Sequence, residues 1–203
     1  MTCMTIINTL FSLIMKKMLL PLRLMVALLT VLLVYVSCAD ADGVYSNITA
    51  HFSFRPVDAV PALHRACTVP GQFCKITDPI GSQGRYKVES PGSNADYIVK
   101  TQTEYYTAGS VVLGMGGLII GMPTIPEMLS DQIRVVCFDA SCPNCKGQNM
   151  QLQTGGYAQC QLCLRTYDMN NQGIVSKGDG GRALYRLYCS YNAALLQVVV
   201  NNR

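Results

Sequence analysis

Two cysteine pairs constrain the fold of this chain more than any other feature of its sequence. Cys142 and Cys145 form one C-x-x-C pair, Cys160 and Cys163 form a second, and 14 residues separate the pairs. In each pair the two thiolates can converge on one ion, and two such turns complete a tetrahedron. The usual separation for zinc is about 15–20 residues, and a glycine pair at 155–156 helps the chain to fold back. We therefore predict a single metal centre that has these four cysteines as its ligands.

Several chemistries fit this spacing. Zinc in a closed site of four thiolates is redox-silent and usually structural. A single iron, or a [2Fe–2S] cluster held only by thiolates, would carry electrons, the cluster at a low potential of roughly −400 mV. Disulfide chemistry within the C-x-x-C pairs is a third alternative, because export permits disulfides. A thioredoxin-like βαβ pattern around the pairs is missing, which disfavours it.

The N-terminus has the features of an export signal. Leu24–Val36 is a run of 13 residues that is apolar except for Thr30, and three basic side chains precede it. A bilayer-spanning helix needs about 20 apolar residues, whereas a run of this length suits a signal peptide. We predict a signal peptide with a helical apolar core over residues 1–37. Residues 1–14 precede a more usual start at Met15 and are interpreted as a spurious upstream start.

The apolar run ends in Ser37-Cys38, which resembles the bacterial lipobox, where the cysteine receives lipid and becomes the first residue. Acyl chains on Cys38 would hold the protein at a membrane without a spanning helix. We predict lipidation of Cys38, a tether over residues 38–48 and a place in the bacterial cell envelope. An ordinary cleaved signal and an uncleaved anchor are the alternatives, and in both Cys38 would be incidental.

Composition excludes two classes of protein. Charged residues make up only 14% of the 203 residues, below the roughly 25% typical of soluble chains, so the chain is not a disordered polyampholyte. The net charge is +4, but only 13 basic against 12 acidic residues lie beyond residue 37, which argues against nucleic-acid binding. No catalytic triad, Cys–His pair or carboxylate pair is apparent, and His51 and His64 lie far upstream of the cysteine pairs. We expect neither an enzyme nor a small-molecule substrate.

Residues 49–203 have the pattern of an all-β domain, because short β-rich runs alternate with Pro- and Gly-rich turns. The expected strands are His51–Phe54, Gln72–Ile76, Tyr97–Lys100, Ser110–Leu113, Leu118–Ile120, Ile133–Phe138, Ala183–Tyr188 and Leu195–Val200. Two helices are expected, over Val57–Cys67 and Pro126–Gln132. This pattern predicts a β-sandwich or barrel.

Cys67 and Cys74 flank a Pro-Gly turn at residues 70–71. The turn can bring the two thiols together as a disulfide across a short hairpin. Equally, each can be a small buried hydrophobic residue.

The two segments that contain the cysteine pairs resemble those that bind the cluster in Rieske-type domains. Gly117–Gly121 followed by Val135–Pro143 is similar to the first segment. Cys160–Asp168 is similar to the second, where a C-x-x-H is followed after three residues by Phe or Tyr and then Asp, here Tyr167 and Asp168. The resemblance covers residues 110–201 and is strongest to the Rieske-like lipoproteins of the Bacteroidetes, in agreement with a lipidated Cys38.

The resemblance implies an antiparallel β-sandwich with a small metal-binding subdomain over residues 136–170, similar to rubredoxin or a zinc ribbon. Tyr167, Asp168 and the glycines around Gly155 would surround the metal.

Rieske centres bind one iron through two Cys and the other through two His. Here Cys163 stands at the second His position and Asn144 at the first. A high-potential Rieske cluster is therefore not expected, and zinc, a single iron and an all-thiolate cluster remain open. The functions implied are a structural or interaction module that zinc stabilises, or an electron carrier for a partner protein of the cell envelope.

Overall fold

The computed structural model describes residues 45–81, 83–104, 111–127 and 131–202. The regular secondary structure of these residues is mostly antiparallel β-strand, which confirms the all-β prediction at this level. The predicted signal peptide over 1–37 and Cys38 lie outside the described residues. Among the described residues, no helix has the length and apolar character needed to cross a membrane.

The described chain contains strands β1 to β14 and one α-helix, α1. The strands are β1 Ala50–Phe54, β2 Gln72–Thr77, β3 Arg85–Glu89, β4 Asp96–Val99, β5 Val112–Leu113, β6 Leu118–Met122, β7 Val136–Asp139, β8 Met150–Gln153, β9 Tyr157–Cys160, β10 Thr166–Asp168, β11 Ile174–Lys177, β12 Arg186–Leu187, β13 Cys189–Asn192 and β14 Gln197–Asn202. Helix α1 is Pro61–Thr68, and 3₁₀ turns cover Val57–Ala59, Lys100–Gln102 and Met169–Asn171.

The strands form three sheets. The central sheet has six strands in the order β12-β7-β6-β2-β3-β4. One four-stranded sheet has the order β13-β14-β1-β5, and the other has the order β11-β10-β9-β8. This last sheet, which we call the metal sheet, runs from Met150 to Lys177.

The central sheet is buried on both faces at β6 and β7. Successive side chains of a strand point to opposite faces, so neighbours in sequence enter different cores. On β6, Ile120 packs in a first core with β1, β14 and α1, whereas Ile119 packs in a second core with residues of the metal sheet. Both isoleucines are fully buried. This arrangement explains why β6 and the first three residues of β7 are apolar without alternation.

The helix predictions have different outcomes. The predicted Val57–Cys67 helix is present as a 3₁₀ turn followed by α1, which has Pro61 in its first turn, where its missing N–H costs nothing. In the predicted Pro126–Gln132 helix, residues 128–130 lie outside the described residues, and the described residues on either side are not helical. The strand Arg85–Glu89 was missed, although it alternates between buried and more exposed side chains.

The last residues of the predicted tether pack on the domain. The side-chain amide of Asn202 donates hydrogen bonds to the carbonyl oxygens of Ser46 (2.7 Å) and Ile48 (2.6 Å). The backbone N–H of Ser46 donates to the carbonyl of Arg186 at 2.8 Å. Residues 46–48 are therefore attached to β14 and β12.

Cys67 and Cys74 are free thiols in the structure. Cys67 lies on α1 and Cys74 on β2, and both side chains are fully buried in the first core. Burial raises the pKa of Cys67 to about 12 and raises that of Cys74 well above its ordinary value. The two residues pack as small buried hydrophobic groups, the alternative that the sequence left open.

The two-sided central sheet predicts different effects for two adjacent substitutions. Ile119→Ala and Ile120→Ala should each lower the free energy of unfolding by about 2–5 kcal/mol, because each leaves a cavity in a core. Native-state hydrogen exchange should show the largest loss of protection in β9 and β10 for Ile119→Ala, and in β1 and β14 for Ile120→Ala. The layered arrangement would be wrong if both variants lowered the protection of the same strands.

Candidate metal centre

The two C-x-x-C turns have the same backbone conformation. In the first, the N–H of Lys146 donates to the carbonyl of Cys142 (2.8 Å), and the N–H of Cys142 donates to the carbonyl of Gly147 (2.7 Å). In the second, Leu164 donates to Cys160 (2.9 Å) and Cys160 donates to Arg165 (3.0 Å) in the same way. The turns are therefore equivalent, position for position.

A left-handed residue follows the second cysteine of each turn. Lys146 has φ 57° and Leu164 has φ 60°. This conformation directs the next N–H toward sulfur, so Gly147 donates to Cys145 and Arg165 donates to Cys163. Each of these two thiolates thus has one backbone donor.

The four sulfur atoms lie within 4.8 Å of one another. The shortest distances join different turns, at 3.6 Å between Cys142 and Cys163 and 3.5 Å between Cys145 and Cys160. Zinc–sulfur bonds of about 2.3 Å in a tetrahedron place the sulfurs about 3.8 Å apart. The predicted ligands therefore come together, with spacings suited to one tetrahedral ion.

The ligands differ in exposure. Cys142 and Cys160 are fully buried in the second core, whereas Cys145 and Cys163 are partly exposed. Burial raises the pKa of Cys145 to about 12. Burial would also raise the pKa of Cys163, but the backbone N–H and guanidinium of Arg165 outweigh it and lower that pKa to about 6.

Tyr167 provides a donor to a buried ligand. Its hydroxyl lies 2.9 Å from the sulfur of Cys142. The amide of Asn144 donates to the same hydroxyl oxygen at 2.9 Å, which leaves the hydroxyl hydrogen for the sulfur. Tyr167 is fully buried, and burial raises its pKa, so the hydroxyl stays protonated as a donor. Such contacts orient a ligand and adjust its basicity.

A loop over residues 178–182, here called the covering loop, is attached to both turns. Asn144 accepts from the N–H of Arg182 and donates to its carbonyl, both at 2.9 Å. Arg165 donates from Nε to the carbonyl of Asp179 at 2.8 Å. Both turns are thus hydrogen-bonded to the same loop.

Two of the residues expected around the metal lie elsewhere. Asp168 instead accepts from the N–H of Asn170 at 3.0 Å and caps a 3₁₀ turn. Gly155 lies in the turn of the β8–β9 hairpin, at the opposite end of β9 from Cys160. A hairpin holds its turn and its open end apart by the length of its strands, so glycines that allow the chain to reverse cannot also contact the metal.

Sequence reasoning missed the roles of Asn144 and Arg165. Asn144 was noted only as the residue at a histidine position, and its contacts with Tyr167 and Arg182 span more than twenty residues of sequence. No local pattern marks such contacts. They depend on the tertiary approach of the covering loop.

The donor set suits a soft or borderline ion. Thiolates prefer zinc, copper(I) and iron, and four of them in a tetrahedron are typical of zinc or iron. No family model, curated protein or solved structure matches the chain. The Rieske resemblance therefore stays a prediction that rests on the sequence segments alone.

The contact between Tyr167 and Cys142 predicts a specific loss. Tyr167→Phe removes the hydroxyl while keeping the ring, so metal affinity should fall about tenfold, as for other groups that hydrogen-bond ligands. Competition with a chromophoric chelator measures this affinity, and near-UV circular dichroism checks the packing. Unchanged affinity in a well-packed variant would mean that the hydroxyl does not support the ligand.

Proposed function

We propose that the chain is a non-catalytic cell-envelope lipoprotein whose β domain binds one metal ion through Cys142, Cys145, Cys160 and Cys163, and that this ion is structural zinc. The observation that carries the metal site is the approach of all four sulfurs to within 4.8 Å. Closed sites of four thiolates leave no open position for substrate. The geometry therefore supports best a structural ion, which stabilises the fold and takes no part in a reaction.

One ion fits better than a two-iron cluster. A [2Fe–2S] cluster divides its four thiolates between two irons, so thiolates on different irons lie farther apart than those that share an ion. Here every pair is within the same small distance. A dithiol protein would bring together the two sulfurs of one C-x-x-C, whereas the shortest contacts join different turns.

A structural role agrees with the position of the ligands. Cys142 follows β7 of the central sheet, and Cys160 ends β9 of the metal sheet. Both side chains also belong to the second core. An ion at this position would join the two sheets where they meet, and its binding energy would add to the stability of a small sheet.

Electron transfer by a single iron is the second candidate. The observation that favours it is the number of donors to sulfur, from Tyr167, Gly147 and the backbone and guanidinium of Arg165. Hydrogen bonds to sulfur and solvent exposure are the means by which a protein adjusts the potential of an iron–thiolate centre. Partly exposed Cys145 and Cys163 would then face a redox partner.

The first experiment is metal and sulfide analysis of the full chain, purified without oxygen, with an absorption spectrum of the same sample. We expect about one zinc per chain and no colour. One iron with visible charge-transfer bands would establish the second candidate instead, and two irons with two sulfides would overturn the single-ion site.

Cys163→Ser tests the ligand assignment. It should remove most of the bound metal, because a ligand thiolate is lost, while Cys189→Ser outside the site should keep it. Metal content is compared for the two variants and the wild type. Equal metal in all three would contradict the four-cysteine site.

Membrane attachment is supported by the apolar run Leu24–Val36 and by Ser37-Cys38. Cys38→Ala should release the protein from the membrane, since the lipidated residue is lost. Fractionation of cells that express each form measures this. Continued membrane association would point to an uncleaved N-terminal anchor instead of a lipid.

A further inference from the structure

The segment that leads from Cys38 to the β domain meets it at a defined place. Residues 46–48 are hydrogen-bonded to β14 and β12, so the chain reaches the domain at Tyr45, beside β12. Tyr45 follows Cys38 by seven positions, and seven residues span at most about 25 Å. Attachment of the chain to a membrane at Cys38 would therefore keep this part of the domain close to the bilayer.

Aromatic and basic side chains surround the place where the chain reaches the domain. Tyr45 and Tyr188 are exposed, and their rings pack edge to face with centroids 5.6 Å apart. The guanidinium carbon of Arg186 lies 5.5 Å from the centroid of the Tyr45 ring. Ile133 and Arg134 line one cavity of about 370 Å³ together with these three residues. We call the five residues the exit face.

The exit face lies at one edge of the central sheet. Tyr188 follows β12, an edge strand, and Ile133 and Arg134 precede β7, which pairs with β12. The other edge strand of the sheet is β4. Neighbouring strands lie about 4.8 Å apart, so β12 and β4 are about 24 Å apart across the six strands. The exit face and β4 are thus on opposite sides of the domain.

The side chains of the exit face have the chemistry of residues that contact lipid head groups. Tyrosine has an apolar ring and a polar hydroxyl, and it is enriched where a bilayer meets water. Arginine makes strong hydrogen bonds to phosphate. Arg186 is paired with Glu127, whereas Arg134 is exposed and forms no ion pair with a described residue. The face therefore offers two rings and a guanidinium to a phospholipid surface.

We infer that the exit face lies against the phospholipid head groups of the membrane and directs β4 away from the bilayer. This inference rests on the proposed membrane attachment, and it holds equally for a lipid on Cys38 and for an uncleaved helix. The contact orients the domain and does not anchor it. A few partly exposed side chains bury much less apolar surface than acyl chains do, in agreement with the release expected for Cys38→Ala.

Fluorescence quenching gives the first test. The chain has no tryptophan, so one substitution introduces a single probe. Tyr188→Trp places the probe in the exit face, and Tyr97→Trp on β4 is the matched control, because the two tyrosines are 52% and 51% exposed. The full chain is reconstituted in vesicles of phosphatidylethanolamine and phosphatidylglycerol, with and without a nitroxide on part of the head groups. The nitroxide should quench the emission of Tyr188→Trp and leave that of Tyr97→Trp unchanged.

A charge substitution gives the second test. Ile133→Glu adds an acidic group to the exit face of the Tyr188→Trp protein. It should lower the ratio of docked to undocked protein about fivefold, which is the effect of one charge near an anionic bilayer surface. Val99→Glu adds the same group on β4, where the side chain is also exposed, and should leave the quenching unchanged. The relief of quenching in the same vesicles measures the ratio.

The outcomes separate the inference from the proposed membrane attachment. Flotation of the wild type with the vesicles is measured first, and if the chain does not float, the attachment fails and the inference with it. If the chain floats, equal quenching of the two tryptophan variants, or stronger quenching of Tyr97→Trp, overturns the inference alone. Absence of quenching in Tyr188→Trp overturns it too, and is the result expected for a face that binds a protein. Ile133→Trp provides the probe if Tyr188→Trp does not fold.

Discussion

Four sulfur atoms share a space less than 5 Å across, and the surrounding structure is arranged to keep them there. As thiolates they repel one another strongly in a partly buried site, and a cation at their centre turns this repulsion into attraction. The turns that carry them end in residues whose N–H groups point at sulfur. The buried tyrosine and the covering loop complete the same enclosure. The four sulfurs are thus placed where they could hold one metal ion.

The central sheet gives this enclosure a rigid support. Its strand β7 leads directly into the first turn through Asp139, which is fully buried. The carboxylate of Asp139 accepts from the N–H of Ser141 at 2.8 Å and from the N–H of Met115 at 2.7 Å. The chain between β7 and Cys142 is therefore hydrogen-bonded to the loop that contains Met115.

The features that could be predicted from the sequence are those with a local signal. Spacing identified the four cysteines, and Pro- and Gly-rich turns located strands such as β1, β2 and β6. The β8–β11 strands were missed because they are short and polar on their exposed sides, so their pairing with one another defines them. Distant segments must meet before β6 and β7 are buried on both faces, and the same is true of the contacts of Asn144 and Arg165. The hydrophobic periodicity of the sequence does not predict such contacts.

Leu164 and Lys146, which follow the second cysteine of each C-x-x-C pair, have the left-handed backbone conformation. Leu164 has φ 60° and is 64% exposed, so neither its backbone preference nor its apolar side chain is satisfied. A left-handed conformation costs a non-glycine residue about 1–2 kcal/mol. In this conformation the turn is closed by the hydrogen bonds from Leu164 to Cys160 and from Cys160 to Arg165. The equivalent turn accepts it at Lys146 for the same geometry. The closure of each turn by its backbone hydrogen bonds therefore outweighs the conformational preference of the residue at this position.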